Sequence, residues 1–234
     1  MNKATIFSSC FLALTHLLCA CDGQILQNTG WADEDHQFPH MALVEVLYQR
    51  RDFYPNPVWM AVCGGTIVGR YWILTAAHCV DPKYVILQTE EKVEAPVNMV
   101  RVMVGNVDQS DEQGRRDPQF RHRVQRSHQH EQYSSYYNEV GGNNVLAYDI
   151  ALLQLENRLN FVRGKIMPAR LPENERNFHV GSEVVLAGWG RDSDGDIPIE
   201  LMYGVMRVID QFWCGHFLNK CKTTMRRMLE RKML

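Results

Sequence analysis

Apolar residues in this chain gather in brief runs, and polar loops separate them. Met41 to Tyr48, Val58 to Val62, Thr66 to Val68, Trp72 to Thr75, Val100 to Val104, Ile150 to Leu155, Val184 to Ala187 and Met202 to Ile209 are all rich in Val, Ile, Leu, Met or aromatics. Such lengths and compositions predict strands rather than helices. No helical pattern alternates with them, so the expected class is an all-β sandwich or barrel, not a parallel α/β sheet. The polar stretch 108–144, which carries Gly114, Pro118, Gly141 and Gly142, predicts long surface loops around one modest strand at Phe120 to Val124.

The N-terminus departs from this pattern. Lys3 precedes an apolar run from Ile6 to Leu18, and the small residues Cys19, Ala20 and Cys21 follow. That order predicts a signal peptide over 1–21, with the mature chain starting near Asp22, secreted and extracellular. A buried N-terminal helix is the alternative. No stretch approaches the roughly 20 apolar residues of a membrane span.

With 234 residues, 45% hydrophobic and 22% charged, the chain has ordinary globular composition. Its formal net charge of −2 gives no electrostatic reason to expect nucleic acid or an anionic membrane as partner.

Export makes the cysteines readable as disulfide partners. Cys10 and Cys19 leave with the signal, as does Cys21 when the cut follows residue 21, and Cys63, Cys79, Cys214 and Cys221 remain, which allows three connectivities. Local chemistry favours Cys63 with Cys79. They bracket the segment Cys-Gly-Gly-Thr-Ile-Val-Gly-Arg-Tyr-Trp-Ile-Leu-Thr-Ala-Ala-His-Cys-Val, in which a strand pair ends in a tight turn of Thr75, Ala76 and Ala77 that delivers His78. A general-base histidine needs rigid surroundings of this kind. A Cys63–Cys79 bridge would staple the histidine turn to the preceding strand.

This block resembles the histidine site of chymotrypsin-like (trypsin-like) serine proteases. Downstream, Asp149-Ile150-Ala151-Leu152-Leu153-Gln154-Leu155 resembles the family's aspartate block. The resemblance implies that Asp149 pairs with the far ring nitrogen of His78, fixing its tautomer and stabilising the imidazolium. The separation of the two exceeds the roughly 45 residues of the family template. The excess falls in the polar loops, which tolerate insertions. Phe38-Pro39, Leu171-Pro172 and Ala187-Gly188-Trp189-Gly190 follow in the family's order. The implied fold is two antiparallel Greek-key β-barrels of the chymotrypsin type: a first barrel over about 38–155, a connector over about 156–175 and an incomplete second barrel over about 176–218. Residues 219–234 form a basic tail.

Departures from the family pattern change the functional expectation. In the template the nucleophile follows the aspartate by about 93 residues. This chain continues for fewer than that, and no Gly-Asp-Ser-Gly-Gly loop occurs in it. Its last serine, Ser193 in Asp192-Ser193-Asp194-Gly195, superficially resembles the nucleophile loop but directly follows the Trp189 motif. Gln24-Ile25-Leu26-Gln27-Asn28 lacks the basic residue and glycines of an activation site.

Further chemistry is sparse. His122, His128 and His130 read as solvated loop residues, although His128 and His130 would face one side if they lay on a strand. Asp108, Asp111 and Glu112 supply too few oxygens for a calcium site. No cofactor or metal is assigned. Two functions remain: a non-catalytic homologue that binds a protein substrate, inhibitor or cascade partner, or part of an active serine endopeptidase whose longer product carries the serine.

Overall fold

A computed structural model describes residues 4–5, 27–32, 37–48, 57–81, 99–109, 120–138, 143–172, 179–191, 196–210 and 212–213. Among them the regular structure is almost wholly β, as the short apolar runs require. The strands are β1 (Ala4–Thr5), β2 (Gln27–Trp31), β3 (Met41–Tyr48), β4 (Val58–Gly69), β5 (Trp72–Thr75), β6 (Val100–Val104), β7 (Arg121–Gln129), β8 (Ser134–Asn138), β9 (Asn143–Ala147), β10 (Ala151–Leu155), β11 (Glu183–Gly188) and β12 (Met202–Arg207). The chain divides into two compact units, one of 33–170 and the other of 1–32 with 171–234.

The unit 33–170 contains a closed antiparallel barrel in the order β10-β5-β4-β3-β6-β7, with β7 returning to β10. Alternate residues of each strand fill its interior, because successive side chains point to opposite faces. Ala42, Val44 and Val46 enter from β3, Ile67 from β4, Ile73 from β5, Val102 and Val104 from β6, and Leu153 and Leu155 from β10. The fully buried Leu159 adds to this core from beyond β10. On the opposite face of β3, the buried Glu45 carboxylate meets Arg101 at 2.7 Å and Arg121 at 3.0 Å.

Two features of β4 matter for the site. The register against β3 slips between Val44, opposite Cys63, and Glu45, opposite Ala61. Val62 is thus the extra residue of a bulge, which bends the strand just before Cys63. Two residues on, a Cβ at Gly65 would lie 2.8 Å from Ile73 Cγ2, so only glycine lets β4 approach β5 this closely.

The other unit holds a four-stranded sheet in the order β1-β11-β12-β2. β11 and β12 pair antiparallel through Val185 and Val205, β2 flanks β12, and Ala4–Thr5 runs parallel to β11. Val184, Val185, Ala187, Trp189 and Leu201 supply its buried apolar surface. No described helix is long and apolar enough to cross a membrane.

Several expectations need correction. Val58 to Val62 and Thr66 to Val68 are one strand, because Gly64 and Gly65 continue the ladder to β3 instead of breaking it. The stretch 108–144 holds more than one modest strand. β7 extends to Gln129, and β8 and β9 form a hairpin. The outer half of β7 is exposed, so it has no apolar alternation to betray it, and its order comes from pairing with β10. His122 and His128 therefore sit on a strand rather than in a solvated loop. β2 carried no recognisable apolar pattern. Cys214, Cys221, Ser193, Asp111, Glu112 and the basic tail lie outside the described residues.

Candidate active site

The site grows from the end of β5. Thr75 donates its hydroxyl to the Gly64 carbonyl at 2.9 Å, tying the strand end back to β4. Ala76 is extended, and a single 3-10 turn, Ala77–Val80, follows. Ala76 and Ala77 are buried, which explains why the turn is built of small residues. The Cys79 N–H bonds to the Ala76 carbonyl at 3.3 Å, and the Gln129 amide reaches the Ala77 carbonyl at 3.0 Å. A disulfide joins Cys79 to Cys63 just past the bulge of β4. His78 is thus held on both sides by backbone that cannot shift without breaking a covalent bond or a strand.

Asp149 arrives 71 residues later in the sequence, immediately before β10. It takes both hydrogen bonds that His78 offers it. The His78 Nδ1 lies 2.6 Å from Asp149 Oδ2, and the His78 backbone N–H donates to Oδ1 at 2.8 Å. Their side chains are only 12% and 17% exposed, so the pair is shielded from competing water. Burial pushes the Asp149 carboxyl upward, but the ring and backbone hydrogen bonds of His78, its charge and the Ala77 backbone outweigh this and hold it below its ordinary 3.8. An ionised Asp149 accepts from Nδ1–H, which leaves the lone pair on Nε2. That nitrogen lies 3.8 Å from Cys63 Sγ and 3.7 Å from Cys79 Sγ.

Residues that sequence reasoning missed hold Asp149 in place. Tyr148 adopts φ +52°, an uncommon conformation for a residue with a side chain. The Ile150 N–H bonds to its carbonyl at 2.8 Å, closing a three-residue turn with Asp149 at its apex. His130 braces that turn twice. Its ring stacks on Tyr148 with centroids 4.9 Å apart, and its N–H donates to the Ile150 carbonyl at 3.0 Å. The alternation of His128, Gln129 and His130 was the available signal. On β7 it turns Gln129 towards the Ala77 carbonyl and His128 against Trp72, with centroids 5.7 Å apart. Tyr133 adds a further strut by donating its hydroxyl to the buried Asp81, the residue that ends the histidine turn, at 3.0 Å. Burial first, and then Asp81, push the Tyr133 phenol above its ordinary range.

Chemically, a carboxylate and the imidazole that it orients can serve as the base half of an acyl-transfer site. The described residues bring together His78, Asp149, Cys63 and Cys79.

The family model for Trypsin matches residues 28–230, a span that runs past Cys214 into the basic segment. Serine proteinase stubble of Drosophila melanogaster is 32% identical over 133 residues, which covers 57% of this chain and 14% of that protein. Fibrinolytic enzyme, isozyme C, of Lumbricus rubellus is 30% identical over 157 residues, 67% of this chain and 55% of the relative. Chymotrypsin-like elastase family member 1 of Rattus norvegicus is 26% identical over 210 residues, 84% of this chain and 70% of that protein.

Proposed function

This chain belongs to the Trypsin family, and on that premise we propose that its 234 residues act as a secreted binding homologue of a serine endopeptidase, one that keeps the base half of the triad without the nucleophile. The carrying observation is the doubly bonded His78–Asp149 pair beside a sequence whose last serine is Ser193. A base raises the reactivity of a nucleophile but does not replace one, and acyl transfer also needs oxyanion donors that come with the nucleophile loop. The protein partner would be a protease substrate, an inhibitor or another member of an extracellular cascade. The apolar run from Ile6 to Leu18 supports export through a signal peptide over 1–21.

The intact geometry of His78 and Asp149 favours a second reading. A longer product that supplies the serine in frame would hydrolyse peptide bonds, with His78 taking the serine proton and Asp149 stabilising the imidazolium. An in-frame Gly-Asp-Ser-Gly-Gly motif in the gene beyond the codon for Leu234 would decide for it.

The test of the first reading treats the purified 234-residue chain with a serine-directed phosphonate probe and a panel of peptide amides. The expected result is no stoichiometric labelling and no turnover dependent on His78. Stoichiometric labelling, with turnover abolished by His78→Ala, would overturn it.

A further inference from the structure

Consecutive residues of β7 take hold of the two halves of the His78–Asp149 pair. The Gln129 side chain donates its amide to the Ala77 carbonyl at 3.0 Å, on the histidine turn, and the His130 N–H donates to the Ile150 carbonyl at 3.0 Å, on the aspartate turn. The ladder explains the reach. Gln129 stands opposite Ala151 on β10, and Ala151 stands opposite Thr75 on β5, with strands spaced by about 4.8 Å. The middle residue of that row carries only a methyl, so the long Gln129 side chain crosses it to Ala77, just beyond Thr75.

The carbonyl that Gln129 grips belongs to the same peptide unit as the His78 N–H. That N–H donates to Asp149 Oδ1 at 2.8 Å. The two hydrogen bonds therefore lie at opposite ends of one planar, conjugated group. A donor on its oxygen draws electron density from its nitrogen and strengthens the N–H as a donor, the effect that makes chains of hydrogen bonds cooperative.

We infer that Gln129 is a positioning residue of the His78–Asp149 pair, acting through the Ala77–His78 peptide to aim and strengthen the bond from the His78 N–H to the carboxylate. Three further features support this role. First, Ala77 is 0% exposed, which shields its peptide from water and raises the weight of each hydrogen bond it makes. Second, burial alone would push the Asp149 carboxyl up, and the His78 ring bond, the His78 backbone bond, the His78 charge and the Ala77 backbone bring it below its ordinary 3.8. The N–H that Gln129 acts on is thus one of the groups that keep Asp149 ionised. Third, a carbonyl oxygen can only accept, so chemistry requires the NH2 end of the Gln129 amide at this contact.

This role rests on the reading of the pair as the base half of a triad. A tilted Ala77–His78 peptide would turn the carboxylate away from the ring, so any product that uses His78 as a base needs Gln129, although Gln129 acts only through another residue.

Gln129 is exposed, so substitution there leaves the core packing alone. Gln129→Met keeps the length of the side chain and removes its donor, and Gln129→Lys restores a donor. Amide correlation spectra and amide exchange of the full chain and both variants, recorded near neutral pH, read the His78 N–H directly. In Gln129→Met its proton should move upfield and its exchange should quicken about 1.5- to 4-fold, the part of a charge-assisted bond that cooperativity supplies. The Cys79 and Asp81 N–H groups, bonded in the same turn to the Ala76 and His78 carbonyls at 3.3 Å, should keep their rates. Gln129→Lys should return His78 to its parent behaviour. An unchanged His78 amide in Gln129→Met would overturn the role. So would equal quickening at His78, Cys79 and Asp81, which marks a turn that has merely loosened, or a Lys variant that behaves like the Met one. These readings involve no peptide-bond cleavage, whereas failure of the binding-homologue reading appears as phosphonate labelling, so the two failures are told apart.

Discussion

Asp149 binds His78 at two points, its Oδ2 at the ring nitrogen and its Oδ1 at the backbone N–H, at 2.6 and 2.8 Å. The carboxylate therefore fixes both the ring and the turn that carries it. Because these bonds favour the ionised form, the folded carboxyl titrates below its ordinary 3.8. A group depressed on folding contributes stability above its unfolded pKa and loses that contribution as pH falls through its folded one. Asp149→Asn should thus cost about 1.5 to 3 kcal/mol at pH 7, the range for hydrogen bonds to a charged group. The difference from the parent should shrink as pH drops below 3.8. Urea midpoints of both proteins at neutral and strongly acidic pH check this, and a constant difference would contradict it.

Removing the Cys63–Cys79 bridge tests what holds the histidine turn. The two residues are 16 apart in sequence, and a loop of about that size contributes about 3 kcal/mol through the unfolded chain. Cys63→Ala with Cys79→Ala should lower stability by about 2 to 4 kcal/mol in denaturant titration. Non-reducing peptide mapping of the parent should recover the two as one cross-linked fragment.

Much of this arrangement was legible in the sequence. β3, β5 and β6 match their apolar runs to the residue, because barrel strands buried on one or both faces must be apolar. The doubling of glycine at 64–65 misled, since it reads as a break but answers a close approach to Ile73. The outer half of β7 and the hairpin β8–β9 were invisible for a different reason. Backbone pairing orders them, and backbone pairing leaves no hydrophobic signature. The same blindness hid His130, whose role depends on where a polar strand delivers it beside Tyr148. His78 and Asp149 stood out because their neighbours are constrained, small before one and apolar after the other.

Two left-handed glycines separate backbone strain from crowding. Gly105 has φ +71°, and a Cβ there would lie 2.7 Å from Ile166 Cγ1, while Gly164 has φ +76° with nothing within 4 Å. Gly164→Ala should cost about 1 kcal/mol from conformation alone. Gly105→Ala adds overpacking of a further 1 to 3 kcal/mol or about that. Thermal or urea unfolding ranks them, and equal losses would mean that Ile166 gives way freely.

The last prediction concerns hydrogen exchange, where closure of a sheet should be visible strand by strand. In the barrel, β3 is paired with β4 from Met41 to Tyr48 and with β6 from Ala42 to Val46, and its residues Ala42, Val44 and Val46 are 0%, 0% and 4% exposed. Its amides can exchange only when the barrel opens as a whole, so they should report the global free energy of unfolding. In the other unit, β2 lies at the end of the sheet order and, among the described residues, meets only β12, through a register that slips between Tyr203 and Val205. An edge strand with one partner and an irregular ladder opens locally at low cost. Amides of β3 should therefore be the slowest in the chain, β11 and β12 intermediate, and β2 several orders of magnitude faster than β3. Exchange followed by mass spectrometry on fragments covering 41–48, 183–188, 202–207 and 27–31 resolves the four strands. Equal protection of β2 and β3 would show that a further segment pairs with the outer edge of β2, and β2 would then not open locally.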